Sequence, residues 1–424
     1  MQIGRTHARL RIVLHQVRLP LHVGAAAVVV GVLAGGFAIG FRAAQAAVFV
    51  HLYRAPDVLL AFERLSPPLR VLVPAAGGAV AAALAAWIGG GRSMTEIMEA
   101  VAIAGSRISV PAALVKAGAS FAAISTGGSL GREGPLLHFG AAIASEVGRR
   151  VRLDPRRVRT LIAAGTAAGF AAAYNTPIAA VLFVVEIVAE TTALELAQPA
   201  LIAVTVATLL SRWALGPGPL YGLRSFSLAA HSELFGYLAL GVATGIGGAG
   251  FIALLDLGRR AFGRLALPPA ARGALGGLLV GLCALRFAEV TGNGYEVIQL
   301  MLDARLGVGM MALLLVIKAF GTTATVSSGS PGGVFTPSLF LGAAMGGIVG
   351  AAARSVWHAP GFPGGYVLCG MAGAIAATTR APIMASVLGF ELSGDYAIVL
   401  PLFIATATAT AVSRPLHKKS IYGR

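Results

Sequence analysis

Residues 131–142 read Gly-Arg-Glu-Gly-Pro-Leu-Leu-His-Phe-Gly-Ala-Ala, and residues 333–344 read Gly-Val-Phe-Thr-Pro-Ser-Leu-Phe-Leu-Gly-Ala-Ala. Gly131 aligns with Gly333, Pro135 with Pro337 and Gly140 with Gly342, without a gap. Glycine permits backbone conformations closed to other residues, and proline suits the first turn of a helix. Each stretch is therefore read as a non-helical turn feeding a helix, with helices expected from about Leu136 and Ser338. In an apolar chain, glycine-proline breaks at corresponding positions of two halves mark a binding site between them.

The rest of the chain supplies that apolar setting. Of 424 residues, 57% are hydrophobic and only 12% charged, with a mean hydropathy of +0.81. A soluble domain carries about 25% charged residues, so most of this chain belongs in lipid. The net charge of +16 does not indicate nucleic acid, because the arginines sit in short connections between apolar runs with no aromatics interleaved. A positive-inside bias accounts for it. Cys283 and Cys369 lie in apolar segments without metal-ligand spacing and read as inert core residues. No cofactor or metal is expected. Arg5, Arg9, Arg11 and Arg18 precede an uncharged run from Leu21 to Phe41. That run is too long for the core of a cleaved signal and reads as a first membrane helix.

The repeat extends beyond the opening motif. Lys116 matches Lys318 in a chain with four lysines, and Gly165, Pro177 and Glu186 match Gly370, Pro382 and Glu391 with identical internal spacings. The expected organisation is a basic cytoplasmic N-terminus (1–21), a first membrane half (22–215), a linker (216–229), a second half (230–415) and a terminal segment (416–424) carrying Tyr422. Residues 149–159 hold six Arg and one Asp, whereas the equivalent 351–361 hold only Arg354. The positive-inside bias then puts the first loop in the cytoplasm and its counterpart outside, so the halves are inverted. Both termini are basic and are expected on the cytoplasmic side of the cell's inner (plasma) membrane. Several apolar segments are shorter than the about 20 residues that span a bilayer. They imply an all-α membrane protein of tilted and broken helices, buried by protein or lining water.

Two helix N-termini aimed at one place leave unpaired N–H groups and partial positive charge there. That is an anion site. Each terminus contributes about 0.3–1 kcal/mol when exposed and up to about 2 kcal/mol when partly buried, which suits an ion that must also leave.

These residues resemble the CLC family of chloride channels and chloride/proton exchangers. The resemblance rests on Gly131-Arg132-Glu133-Gly134-Pro135, on Gly329-Ser330-Pro331-Gly332-Gly333-Val334-Phe335-Thr336-Pro337, on Ala171 through Pro177, on Arg380-Ala381-Pro382 and on Ser420-Ile421-Tyr422. It covers nearly the whole membrane region and no C-terminal CBS domains. It implies an inverted-repeat homodimer in membrane lipid, with one pathway for chloride or a similar small anion per subunit. Glu133 then resembles the gate: a carboxylate at the mouth competes with the anion when ionised and withdraws when protonated. The turn residues Gly131, Arg132 and Gly134, the backbone amides of Val334 and Phe335, and the Tyr422 hydroxyl resemble the anion ligands.

Two departures from the family pattern bear on function. Where the family has Gly-Ser-Gly-Ile-Pro followed by Glu, this chain reads Gly91-Arg92-Ser93-Met94-Thr95-Glu96. Either Arg92 faces the pathway and strengthens anion binding, or it points to water and Ser93 or the backbone takes over. The second is favoured, because a full guanidinium charge could hold the anion too tightly. Exchangers of the family usually carry an inner proton-relaying Glu directly after the position of Glu186, and here Ile187 follows. Coupling would need another internal route such as Glu186 or Glu190. The reading leans channel-like, with a chloride/proton antiporter or a carrier of another anion as alternatives. Glu186 and Glu391 are expected to accept hydrogen bonds from helix N-termini. Lys116, Lys318 and Arg380 read either as anion funnels or as snorkelling helix-end cations. An intramembrane enzyme using His138 as base is disfavoured, since Phe340 occupies the equivalent position and packing suffices. The intact Gly-Arg-Glu-Gly-Pro argues against the family's fluoride-specific branch.

Overall fold

The computed structural model describes residues 20–423 apart from 91–92, 104, 190–193, 224–225, 227, 229–230 and 358–363. Arg92 and Glu190 thus lie outside the described residues. The first half comprises α1 (Leu21–Ala47), α2 (Val58–Arg64), α3 (Pro67–Trp87), α4 (Ser93–Ala102), α5 (Val110–Ser125), α6 (Glu133–Arg150), α7 (Pro155–Tyr174), α8 (Pro177–Phe183) and α9 (Leu194–Leu215). The second comprises α10 (Leu234–Gly263), α11 (Pro269–Ala284), α12 (Tyr295–Leu302), α13 (Val308–Ser327), α14 (Phe335–Trp357), α15 (Gly364–Thr379), α16 (Pro382–Ser393) and α17 (Val399–Leu416). Among the described residues there is no strand, only an isolated antiparallel bridge between Gly131 and Gly333.

Local sequence explains where these helices begin. Prolines open α3, α7, α8, α11 and α16, where their missing N–H costs nothing. Asp57 and Asp154 cap α2 and α7 by accepting from Leu60 and Arg157 N–H at 2.9 and 3.1 Å. The expected starts at Leu136 and Ser338 fall one turn late. Pro135 and Pro337 sit inside the first turn, whose N–H groups have no intrahelical partner in any case. α7 and α15 both end on a left-handed residue, Asn175 at φ 57° and Arg380 at φ 69°. Asn tolerates that conformation; Arg380 is held in it by hydrogen bonds to Ser413 and to the His417 carbonyl.

Among the described residues seven helices are long and apolar enough to cross a membrane, and α14 is the most buried of them. The chain is a multi-pass membrane protein. α15 has only 16 residues, every one of them buried, so its short length is compensated by protein on all sides. Small residues let these inner helices meet backbone to backbone. A Cβ added at Gly140 of α6 would stand 2.1 Å from the Gly165 carbonyl oxygen of α7, and one at Gly342 of α14 would stand 2.3 Å from that of Gly370 in α15. Each contact is reciprocal, so the two halves repeat not only a motif but a helix crossing. The architecture is the inverted-repeat, all-helical one that the sequence implied.

Candidate functional site

The turns before α6 and α14 meet at the centre of the fold. Gly131 N–H donates to Gly333 O at 2.8 Å, and Gly333 N–H donates to Gly131 O at 2.9 Å. A reciprocal antiparallel pair between equivalent residues is what a local two-fold axis produces. It brings the N-termini of α6 and α14 together.

Glu133, the first residue of α6, reaches across this axis and is almost fully buried. Its Oε1 accepts from Phe335 N–H at 2.8 Å and Thr336 N–H at 3.1 Å, and its Oε2 accepts from the Thr336 hydroxyl at 2.9 Å. The carboxylate therefore sits on the positive end of α14 and uses the donors that a free anion there would use. Both bridging glycines are needed for this: a Cβ at Gly131 or Gly333 would lie 2.0 Å from a Glu133 oxygen. Phe335 is anchored by its ring, which packs among Phe170, Tyr174 and Phe183 with centroids 5.3, 5.4 and 6.3 Å away. Tyr174 Oη and Thr336 Oγ1 are 2.8 Å apart, so the hydroxyl on Glu133 is itself held.

One cavity of about 490 Å³ brings together Ser93, Glu133, Gly134, Val334 and Tyr422. Ser93 arrives on the first turn of α4. Tyr422 arrives on the terminal segment, which is pinned where Ile421 N–H donates to the Thr378 carbonyl of α15 at 2.8 Å. Ser330 also lines this cavity; its hydroxyl is buried and lacks a hydrogen-bond partner among the described residues. Reading the motif for its glycines and its Phe335 amide missed that hydroxyl, although the residue stands in the quoted stretch. Arg132 behaves differently from its neighbours, lining a separate cavity with Arg42 and Glu296.

Glu186 and Glu391 hold the two halves together reciprocally. Glu186 accepts from Ile383 and Met384 N–H at 3.3 and 2.7 Å, at the start of α16. Glu391 accepts from Ile178 and Ala179 N–H at 2.9 and 2.7 Å, at the start of α8. The expected use of both carboxylates at helix N-termini is met. Ile187 is buried beside Glu186, and both line a second cavity of about 450 Å³ with Arg380, Arg414 and Lys418.

The two intramembrane lysines neither snorkel nor line the central cavity. Lys116 and His138 are buried and pair with the two oxygens of Glu96 in α4, His138 Nε2 at 2.9 Å. Lys318 donates to the Val290, Thr291 and Gly292 carbonyls at 2.9, 3.5 and 2.8 Å and lies 5.3 Å from the Phe340 ring centroid. A cation with three donors satisfied internally has no reason to reach for the interface. His138 is thus a partner of Glu96 rather than packing alone.

Helix N-termini converging on a buried carboxylate, at the junction of two inverted repeats, define a membrane protein for small anions. Residues 77–414 match the family described as "Voltage gated chloride channel". The chain is 37% identical over 396 residues to the "Putative chloride channel protein ClcB-like" of Ralstonia nicotianae, covering 91% of this chain and 92% of that one. It is 36% identical over 414 residues to the "Voltage-gated ClC-type chloride channel ClcB" of Escherichia coli, covering 93% and 96%. Among solved structures it resembles a slow cyanobacterial Cl⁻/H⁺ antiporter (TM-score 0.87, 24% identity, 96% and 97% covered) and a CLC-type fluoride/proton antiporter (TM-score 0.77, 26% identity, 94% and 96% covered). The chain belongs to the CLC family of chloride channels and transporters.

Proposed function

We propose that this protein carries chloride, or a similar small monovalent anion, through a bacterial inner membrane under the control of Glu133. The observation that supports this best is the Glu133 carboxylate resting on the Phe335 and Thr336 amides. An ionised Glu133 occupies the anion's place; a protonated one loses its attraction for the α14 N-terminus and swings away, leaving those amides to the anion. From there the ion descends the cavity past Gly134 and Val334 toward Ser93 and Tyr422, with the Ser330 hydroxyl as an additional donor. Gly131 contributes the room for the gate, and Arg132 acts at the approach to it. Ser93 or the backbone beside it serves the ion at the inner end of this route. The functional halves are taken as 22–215 and 230–415, joined by 216–229, with both termini cytoplasmic and two copies per assembly.

Transport is channel-like in this reading, because Ile187 cannot relay a proton. An antiporter is the second reading. It is favoured by the cavity that reaches Glu186 from the side of Arg380, Arg414 and Lys418, and by the printed activity of the cyanobacterial structure that the fold resembles. Glu186 would have to release the Ile383 and Met384 amides to carry a proton, or Glu190 would serve instead. Liposomes loaded with chloride, with efflux and external pH recorded together, separate the two. Flux without proton movement supports the channel; uphill proton movement driven by the chloride gradient establishes the exchanger; absence of anion flux ends both.

A further inference from the structure

A second polar cavity, of about 370 Å³, lies beside the α6 turn but outside the central site. Its place across the membrane follows from α1. His22 at the start of α1 bonds Arg157 at 3.1 Å, on the arginine-rich loop. Arg42 is 20 residues further along, or about 30 Å at the helical rise. The cavity therefore opens on the face opposite that loop, the outer face under the positive-inside bias.

Four donor side chains meet there: Arg42, Gln45, Arg132 and Asn293. Gln45 is only 6% exposed, yet its Nε2 has no hydrogen-bond partner among the described residues. A buried amide N–H₂ left unpaired costs about 1–3 kcal/mol, so a ligand or water is expected on it. Among the described residues neither the Arg42 nor the Arg132 guanidinium has a hydrogen-bond or ion-pair partner, although Arg132 interacts at longer range with the charge of Glu296. Asn293 spends its Oδ1 on Tyr295 N–H at 3.0 Å, leaving its amide hydrogens free. Two carboxylates, Asp57 and Glu296, also line the cavity, and Asp57 Oδ1 is committed to capping α2. Their charge offsets that of the two arginines and disfavours a polyvalent guest.

We propose that Arg42, Gln45, Arg132 and Asn293 form an outer binding site for a monovalent planar oxyanion of the nitrate or bicarbonate class. Guanidinium forks match two coplanar oxygens, and carboxamide hydrogens supply the remaining donors. A spherical halide would engage one edge of each fork and bind less tightly. Glu133 does not line this cavity, and the site can be tested whether or not the central route conducts.

Calorimetric titration of the purified full-length protein with sodium nitrate tests it. Wild type is expected to show two classes of site. Gln45→Leu and Arg42→Lys each weaken one class by about tenfold, the loss of one hydrogen bond to a charged partner, and leave the other class unchanged. Arg42→Lys retains charge while removing the fork, so it serves if Gln45→Leu fails to fold, and it should lower nitrate affinity more than chloride affinity. A single class of site, or isotherms that neither variant alters, overturns the proposal. Nitrate binding that depends on Arg42 in a protein without liposome flux would uphold this site while removing the permeation reading; flux with an unchanged isotherm does the reverse.

Discussion

The two halves place Lys116 and Lys318 at equivalent points of the fold and satisfy them by different chemistry. In the first half Lys116 and His138 share the carboxylate of Glu96, which is partly open to solvent. In the second half Lys318 is closed in by backbone carbonyls of 290–292 and the face of Phe340, the residue equivalent to His138. The central contact follows the same rule. Glu133 and Phe335 are also equivalent; one supplies a carboxylate and the other the amide that receives it. The repeat gives a two-fold frame with two converging helix ends, and the asymmetry of side chains within it makes one half supply the carboxylate and the other the N–H groups that donate to it.

That contrast is broken most severely at its centre. Glu133→Ala should leave the Phe335 and Thr336 amides open at every pH. Anion efflux from liposomes should stay high and lose its pH dependence; an unaltered pH response would remove Glu133 from the gating role. Next in size is the second-half lysine. Lys318→Met leaves buried carbonyls without a donor and should cost about 3 kcal/mol, read as a drop in denaturation midpoint. Lys116→Met should cost less, about 1–2 kcal/mol, because Glu96 keeps His138 and water. Equal losses would mean that solvent access to Glu96 does not buffer the first half.

The reciprocal glutamates should respond alike. Glu186→Gln and Glu391→Gln each trade a charged acceptor at a helix N-terminus for a neutral one, at about 1–2 kcal/mol. If Glu186→Gln also abolishes proton movement while Glu391→Gln does not, the symmetry is structural only and Glu186 carries protons. Smallest is His138→Phe, which makes the first half resemble the second. It should change stability by less than about 1.5 kcal/mol, and a larger loss would show that Glu96 depends on its imidazole.

Much of this was legible in the residues themselves. A repeat of glycine, proline, lysine and glutamate in a chain with 12% charge implies two inverted membrane halves, because rare polar residues persist in lipid only where the fold uses them. The roles of Glu186 and Glu391 at helix N-termini were legible for the same reason. Other features had no linear signature. The pairing of Lys116 with Glu96 and His138 joins three helices, and no spacing along the chain predicts it. The Ser330 hydroxyl and the Gln45 amide gain meaning only from the absence of a partner, which is a property of the space around them.

The chain alone determined its solvent, its duplication and the two helix N-termini that could hold an anion, since these follow from hydropathy, from repeated breaks and from the backbone's unpaired N–H groups. Tertiary structure decided which donor meets which acceptor: that Glu133 lies on α14, that the lysines turn inward, and that Arg132 faces a different cavity from its neighbours. Those choices depend on distances of about 3 Å between groups as much as 213 residues apart, and only packing sets such distances.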